Sequence, residues 1–244
     1  MLIDFKGKRA LVTGAAHGIG RAIAFALARD GATVTGVDNR PVDASENGLT
    51  IHTHQCDLTK RAAIDELVKT KGPFDILIHS AGGVCGQVGR PLEEISEDDW
   101  DTIVNINMKA GFFLSQAVAP HMKQQGYGRI VLISSGAGLG VSLTGIQAYA
   151  SAKAGEIGLT RQLGHELGKF GITVNSVAPG FVRSNPTTER QWEAYGAEGQ
   201  KAMIERIATR RLGKVDDIVA ATLFFASEQA EWITGQVLSV DGGK

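Results

Sequence analysis

The chain has 244 residues, of which 43% are hydrophobic and 21% charged, and its formal net charge at pH 7 is −1. A chain of this size and composition can bury most of the surface that its unfolded form exposes. The near-zero charge, without a block of basic residues, argues against a nucleic acid or an anionic membrane as a partner.

The N-terminal segment and the cysteines bear on the cellular location of the protein. Residues 1–6 lack the long apolar core of a signal peptide, and no apolar run reaches the length of about 18 residues that a membrane-spanning helix needs. Two cysteines, Cys56 and Cys85, provide no disulfide framework. We therefore expect a cytoplasmic protein with no membrane partner.

The first predicted element is an apolar strand at residues 9–13, and a helix over residues 19–29 follows a glycine-rich turn. In such a turn Gly14 permits a tight bend, Gly18 lets backbone amides approach a pyrophosphate, and Gly20 lets the helix pack closely on the strand. The helix N-terminus adds free N–H groups and a partial positive charge. The segment predicts a dinucleotide site, the alternative being an ordinary glycine-rich turn.

Strand-like and helical segments alternate from end to end. The strand-like segments are residues 9–13, 33–37, 51–55, 74–79, 128–133, 173–178 and 236–240. The helical segments lie near residues 19–29, 61–70, 100–124, 148–170 and 215–226. This alternation predicts an α/β fold over residues 1–244: a single doubly wound, Rossmann-like domain whose seven-stranded parallel sheet carries helices on both faces.

Two segments interrupt this rhythm. The residues between Val37 and Ile51 are too few for a long helix, and Pro41 and Gly48 indicate a loop. Residues 181–210 are polar and contain glycine and proline, yet they also carry aromatic and aliphatic side chains that could be buried. We interpret this second segment as a lid over the site.

Asp38 ends the second predicted strand, where a dinucleotide fold meets the adenosine ribose. A carboxylate there can accept hydrogen bonds from both ribose hydroxyls, whereas a 2′-phosphate would bring like charges together. Two unit charges about 4 Å apart near a surface repel by about 4 kcal/mol. Asp38 therefore favours NAD over NADP, although Arg40 could clamp a 2′-phosphate and points the other way.

Tyr149 and Lys153 are four residues apart in a predicted helix, so their side chains share one face. A free tyrosine loses its proton near pH ~10, too high for a base at neutral pH. Moving that value toward ~7 takes about 4 kcal/mol of stabilisation of the phenolate. A lysine ammonium a few ångströms away in a partly dry cleft can supply energy of that order. The pair predicts a catalytic base, the alternative being a solvated helix face.

The Thr-Gly-x-x-x-Gly-x-Gly spacing from Thr13 to Gly20, together with Tyr149 and Lys153, resembles the short-chain dehydrogenase/reductase family. The resemblance covers nearly the whole chain. It implies a nicotinamide cofactor, a homotetramer, and a catalytic set of Asn107, Ser135, Tyr149 and Lys153. The cofactor-binding residues that it implies, with those identified above, are Gly14, His17, Gly18, Ile19, Gly20, Asp38, Asp57, Leu58, Ala81, Gly82, Tyr149, Lys153, Pro179, Gly180, Val182 and Ser184.

Several of these residues carry alternatives. Asp57 matches a family aspartate that bonds adenine, and it could also cap the next helix. Asn107 matches a family asparagine that relays protons to the lysine through water, or it could satisfy backbone groups. Ser135 matches the serine that holds the reacting oxygen, but its spacing to Tyr149 is one residue longer than usual, so Ser134 competes with it.

The expected function is NAD(H)-dependent hydride transfer between nicotinamide and a secondary alcohol or ketone. Polar residues in the lid favour a small sugar, polyol or hydroxy acid, while Phe181 and Leu143 could instead line an apolar pocket. The alternatives are an NADPH-dependent 3-oxoacyl thioester reductase and a non-catalytic NAD-binding sensor. No metal site is expected, because His52 and His54 share a strand face without a suitable third ligand.

Overall fold

The computed structural model describes residues 3–142 and 144–244, so Leu143 lies outside the described residues. The strands are β1 (Arg9–Thr13), β2 (Thr33–Asp38), β3 (Ser45–Glu46), β4 (Leu49–Thr50), β5 (His52–Gln55), β6 (Ile76–His79), β7 (Gly128–Ile133), β8 (Ile172–Pro179) and β9 (Val237–Val240). The helices are α1 (Gly18–Arg29), α2 (Arg61–Lys71), α3 (Glu97–Val104), α4 (Ala110–Gln125), α5 (Gly136–Leu139), α6 (Gln147–Leu167), α7 (Pro186–Ala194), α8 (Gly196–Arg206) and α9 (Val215–Ala226). None of the helices in this described part is long and apolar enough to cross a membrane.

Seven of the strands form one parallel sheet in the order β5-β2-β1-β6-β7-β8-β9. The predicted α/β fold is therefore confirmed. The chain builds outward from β1 to β2 and β5, and then crosses to the other side of β1 to form β6. Helix α1, which follows β1, packs on one face of the sheet, and α4, which follows β6, packs on the other. The carboxyl ends of β1 and β6 therefore border a crevice, which is where such sheets bind ligands.

The apolar strands bury both of their faces. Ala10 and Val12 of β1 pack into the cluster formed by α1 and α9, and Leu11 between them packs into the cluster on the opposite face with α2 and α4. This is the two-residue alternation of a strand applied to a sheet that helices cover on both sides. The packed core thus fixes the position of each strand end and of the polar residues that follow it.

The predicted helix over residues 100–124 is interrupted. It begins earlier, at Glu97, because Ser96 and Asp99 form a reciprocal capping box. A π-helical turn at Asn105–Lys109 then separates α3 from α4. Such turns insert an extra residue into a helix and are frequent at functional sites. Apolar periodicity detects the long helical run but not this local change of pitch.

The two irregular segments also contain more structure than the sequence indicated. The loop between β2 and β5 carries the short antiparallel hairpin β3–β4. The predicted lid contains α7 and α8, and Phe181 packs against Trp192 and Tyr195 with ring centroids 6.1 Å apart in both pairs. Aromatic packing therefore connects α7 to Phe181 at the start of the predicted lid segment.

Candidate active site

The glycine turn after β1 is built for close backbone approach. Gly14 has a φ of +72°, and a Cβ there would lie 2.9 Å from backbone atoms of Ser80 and Ala81. Gly18 has a φ of +59°, and a Cβ there would lie 2.6 Å from the Ser184 carbonyl oxygen. Helix α1 starts at Gly18 with no acidic residue in its first turn, so its free amides face the crevice with their partial charge intact. These residues fit the pyrophosphate of a dinucleotide.

Thr13 joins the two strands that border the crevice. Its hydroxyl accepts hydrogen bonds from the amides of Ser80 and Ala81, each at 3.1 Å. It also lies 2.9 Å from Nδ1 of His79, so the hydroxyl proton is donated to that nitrogen. Nε2 of His79 then carries the ring proton and donates it to the Asn107 carbonyl at 3.1 Å. Burial, with the nearby Lys153 charge, lowers the pKa of His79 from 6.5 to about 3, so the ring is neutral.

Asn107 lies in the π-helical turn and is fully buried. Its side-chain amide donates to the carbonyls of Gly83 and Ile103, and its side-chain oxygen accepts from the Gly83 amide at 3.0 Å. A Cβ at Gly82 would collide with that oxygen. Asn107 therefore fastens the loop after β6 to the π-helical turn, which is the structural alternative that the sequence left open. The water-mediated relay remains a prediction.

Asp38 lies at the end of β2, as expected, and is 5% exposed. Its carboxylate accepts the Ala16 amide at 3.2 Å, which holds the glycine turn, and the Arg40 amide at 3.1 Å. Nε of Arg40 lies 3.3 Å from the same carboxylate, and Nη2 of Arg40 donates to Nδ1 of His17 at 2.9 Å. Burial and the Arg40 charge lower the pKa of His17. Asp38, which favours NAD, and Arg40, which favours NADP, thus form one ion pair.

Asp57 does not cap α2, so that alternative was wrong. The helix starts after Lys60 without a side-chain cap. Asp57 instead accepts hydrogen bonds from the hydroxyl and the amide of Thr59, at 2.7 and 3.0 Å, which lower the pKa of the carboxyl. It lines an open groove together with Asn39 and residues of α3. Leu58 beside it is buried.

Tyr149 and Lys153 lie on one face of α6, with Nζ of Lys153 5.9 Å from the centroid of the tyrosine ring. The lysine side chain is 4% exposed. Its ammonium donates to the Ile133 carbonyl of β7 at 2.7 Å and to the Glu156 carboxylate at 2.9 Å. Burial raises the pKa of Glu156 to about 7, against the attraction of Lys153. The geometry delivers a fixed cation beside a phenol, as the four-residue spacing predicted.

The two serines after β7 have different environments. Ser134 is buried and donates its hydroxyl to the Lys153 carbonyl at 3.1 Å, so it ties β7 to α6. Ser135 is only partly buried, and its hydroxyl oxygen accepts the Ala137 amide as the N-cap of α5. That bond leaves the Ser135 proton free for another acceptor. The environment favours Ser135 over Ser134 as the serine that faces a substrate.

The segment after β8 contacts the glycine turn. Pro179 ends β8, and a Cβ at Gly180 would meet the backbone of Asp241 at 2.8 Å. Val182 is buried and forms an isolated bridge with Gly213. The carbonyl of Ser184 closes over Gly18. This chain of contacts brings the predicted nicotinamide segment to the crevice.

The polar residues of the predicted lid segment, residues 181–210, have local roles. Asn185 caps α7 by accepting the amides of Thr187 and Thr188. Arg183 pairs with Glu189 at 2.6 Å. Because these side chains are used in bonds within the segment, their polarity is little evidence for a polar substrate.

Comparison with known proteins agrees with this geometry. A family model described as enoyl-(acyl carrier protein) reductase matches residues 14–244. The chain is 39% identical to the (2S)-[(R)-hydroxy(phenyl)methyl]succinyl-CoA dehydrogenase subunit BbsD of Thauera aromatica, over 99% of this chain and 98% of that protein. The chain belongs to the short-chain dehydrogenase/reductase family.

Two further family members are relevant to the substrate and cofactor. Gluconate 5-dehydrogenase of Gluconobacter oxydans is 37% identical over 99% of this chain and 96% of that protein. The crystal structure of a candidate 2-deoxy-d-gluconate 3-dehydrogenase from Agrobacterium tumefaciens, with bound NADP, is 35% identical. It superposes with a TM-score of 0.89 and covers 98% of this chain and 96% of that chain.

Two features of the site were missed from the sequence. The buried Thr13–His79 link was not identified, although Thr13 ends a strand beside the glycine turn. Glu156 was also missed, although it lies three residues after Lys153 on the same helical face, where its neighbours Ile157 and Thr160 are buried. An acid at a core-facing position of a helix was the available signal.

The neutral His79 has a measurable consequence for stability. Its pKa is lower in the folded chain than in the unfolded chain, so only the unfolded chain gains a proton as the pH falls below about 6.5. The stability that His79 contributes is therefore present above that pH and is lost on acidification. Between pH 7 and pH 5 the free-energy difference between wild type and His79→Gln should shrink by about 2 kcal/mol.

Urea unfolding at several pH values measures this difference. The exposed His165 on α6 provides the control, because His165→Gln should leave the pH dependence of stability unchanged. A constant difference between wild type and His79→Gln would contradict a neutral His79.

Proposed function

We propose that the protein is a nicotinamide-dependent oxidoreductase that interconverts a secondary alcohol and a ketone. The observation that carries the proposal is the pair on α6, in which the buried Lys153 ammonium lies 5.9 Å from the Tyr149 ring. The nicotinamide, when bound, supplies the hydride acceptor or donor. A fixed cation beside a phenol lets the phenol exchange a proton with a substrate hydroxyl at neutral pH.

Each residue of the predicted set has a role in this proposal. In alcohol oxidation Tyr149 as phenolate takes the hydroxyl proton, and in ketone reduction it returns that proton. Ser135 donates its free proton to the reacting oxygen, which holds the substrate in place. Lys153 supplies the positive charge. Asn107 shapes the loop after β6 and, as the family resemblance implies, completes a proton relay through water to Lys153.

For the cofactor we propose NAD(H). Asp38 supports this choice, because its buried carboxylate lies at the end of β2, where the adenosine ribose is expected. Arg40 offsets part of the repulsion that a 2′-phosphate would meet, since it already pairs with Asp38. The NADP bound to the Agrobacterium relative is a reason to test this choice directly.

For the substrate we propose a small polar secondary alcohol, such as a sugar acid, polyol or hydroxy acid. The similarity to gluconate 5-dehydrogenase supports this class. The aromatic cluster of Phe181, Trp192 and Tyr195 supplies an apolar wall against which such a molecule could pack.

The second candidate is an acyl thioester substrate. The relative from Thauera aromatica is named as a dehydrogenase of a succinyl-CoA derivative. The matching family model is described as enoyl-(acyl carrier protein) reductase. A 3-oxoacyl thioester reductase of this family would be expected to use NADPH. Parallel assays with both cofactors on both substrate classes separate the candidates.

We also propose a homotetramer, as the family resemblance implies. Large apolar side chains are exposed on the helices α3 and α4 and on the edge strand β9, namely Trp100, Phe112 and Leu238. Burying such side chains between subunits would remove apolar surface from water. Sedimentation equilibrium of the purified chain tests this assembly, and a monomer at micromolar concentration would contradict it.

The function is tested with Tyr149→Phe. The purified enzyme is screened with NAD against sugars, polyols, hydroxy acids and 3-hydroxyacyl thioesters, and NADH formation is followed by absorbance. We expect the variant to lose about a thousandfold or more in kcat, because the proton acceptor is gone. NAD binding, followed by protein fluorescence, should be retained.

Tyr127→Phe removes a hydroxyl at the end of β7 opposite to Ser135 and should keep full activity. A Tyr149→Phe enzyme with normal turnover would contradict the mechanism. A wild-type protein that binds NAD and turns over no member of the panel would favour the sensor alternative.

The cofactor choice is tested with Asp38→Ala. We expect the ratio of kcat/KM with NAD to kcat/KM with NADP to fall at least about tenfold, because a 2′-phosphate no longer meets a carboxylate. Asp43→Ala removes the same charge from an exposed position in the following loop and serves as the control. Arg40→Ala should change the ratio in the opposite direction. An unchanged ratio in Asp38→Ala would refute the assignment.

A further inference from the structure

Glu156 is a buried acid that the proposed chemistry does not use. Its side chain has no exposed surface, and it lies on the same face of α6 as Tyr149 and Lys153. Burying a carboxyl in an apolar core is costly unless it is paired, and here Lys153 is the partner at 2.9 Å. The acid therefore contacts the cation on which Tyr149 depends.

The donors of Lys153 are limited. An ammonium has three N–H groups. One is held by the Ile133 carbonyl at 2.7 Å and one by Glu156. A single donor remains for the tyrosine or for a ribose hydroxyl. The orientation of the ammonium is thus set by β7 and Glu156 rather than by the ligand.

The other groups around Glu156 do not compensate it. From β6 the neutral His79 ring faces it across Gly111, where a Cβ would lie 3.0 Å from Cδ2 of His79 and 3.7 Å from Oε1 of Glu156. From α4, Gly111 contributes no side chain. From α6 itself, Lys153 is the compensating group. Among the described residues, Oε1 of Glu156 has no hydrogen-bond partner.

We infer that Glu156 is a positioning residue which competes with the Tyr149 phenolate for the single positive charge of Lys153. When Glu156 is ionised, the lysine and the acid together are neutral, and the phenolate is stabilised less. When Glu156 binds a proton, the full charge of Lys153 acts on Tyr149. Through the shared cation, the ionisation of each acid therefore opposes the ionisation of the other.

This inference rests on the proposed function for its catalytic meaning, but its test does not require turnover. Phenolate absorbance is followed during a pH titration of the full chain, and the signal of Tyr149 is isolated by subtracting the Tyr149→Phe titration. In Glu156→Gln, which keeps an acceptor for Lys153 but removes the charge, the Tyr149 phenolate should form about one pH unit lower.

The matched control is Glu166→Gln, which removes an equal charge from an exposed position on the same helix. Its titration should superimpose on that of wild type. With a substrate from the panel, the pH midpoint of kcat/KM for alcohol oxidation should move with the spectroscopic one, while the high-pH plateau stays within about threefold. A folded Glu156→Gln chain with the wild-type titration would overturn the inference.

If Glu156→Gln does not fold, a measurement on the wild-type chain still tests the inference. Infrared difference spectra should show the carbonyl band of a protonated buried carboxylic acid near pH 6 that disappears by pH 8, and its absence would overturn the inference. A spectroscopic shift in Glu156→Gln without turnover of any substrate would reject the proposed function alone. Turnover without a shift would reject only the role of Glu156.

Discussion

The buried ammonium of Lys153 is the interaction on which the candidate site depends. A charge with 4% exposure survives in a protein only when fixed dipoles and counter-charges replace its water. Here a backbone carbonyl of β7 and the Glu156 carboxylate do so, and Ser134 ties the backbone of Lys153 to the same strand end. Helix α6 is therefore held against β7, at the centre of the sheet, by polar contacts. A tyrosine one turn away shares that rigid placement.

The sheet supplies the second constraint, because the order in which strands are added reverses at β1: β2 and β5 lie on one side of it and β6 on the other. Thr13 at the end of β1 binds the amides that follow β6, and His79 passes the contact on to Asn107 in the π-helical turn. One line of hydrogen bonds thus connects the glycine turn to the helix that faces α6. Each donor in it has one acceptor, so the neutral tautomer of His79 follows from the geometry. These hydrogen bonds fix the two loops that border the crevice relative to each other.

Much of this arrangement could be predicted from the sequence. The strand–glycine–helix run at Gly14 to Gly20 and the spacing of Tyr149 and Lys153 are local patterns, and the structure places both as expected. Local patterns do not reveal contacts between distant segments, which is why the Thr13–His79 link was missed. They also do not show which polar groups are already satisfied. Asn185 and Thr188 suggested a polar substrate, yet they cap α7.

The ion pair of Asp38 and Arg40 shows why residue identity alone leaves the cofactor open. Read separately, the acid favours a ribose hydroxyl and the arginine a 2′-phosphate. In the structure, Nε of Arg40 lies 3.3 Å from the acid while Nη2 reaches His17, so the two charges partly cancel. Asp38 is 5% exposed and Arg40 is mostly exposed, so the side chain free to move is the cation. How far Arg40 offsets the charge of Asp38 is therefore set by the contacts that Arg40 makes and not by the two residue types.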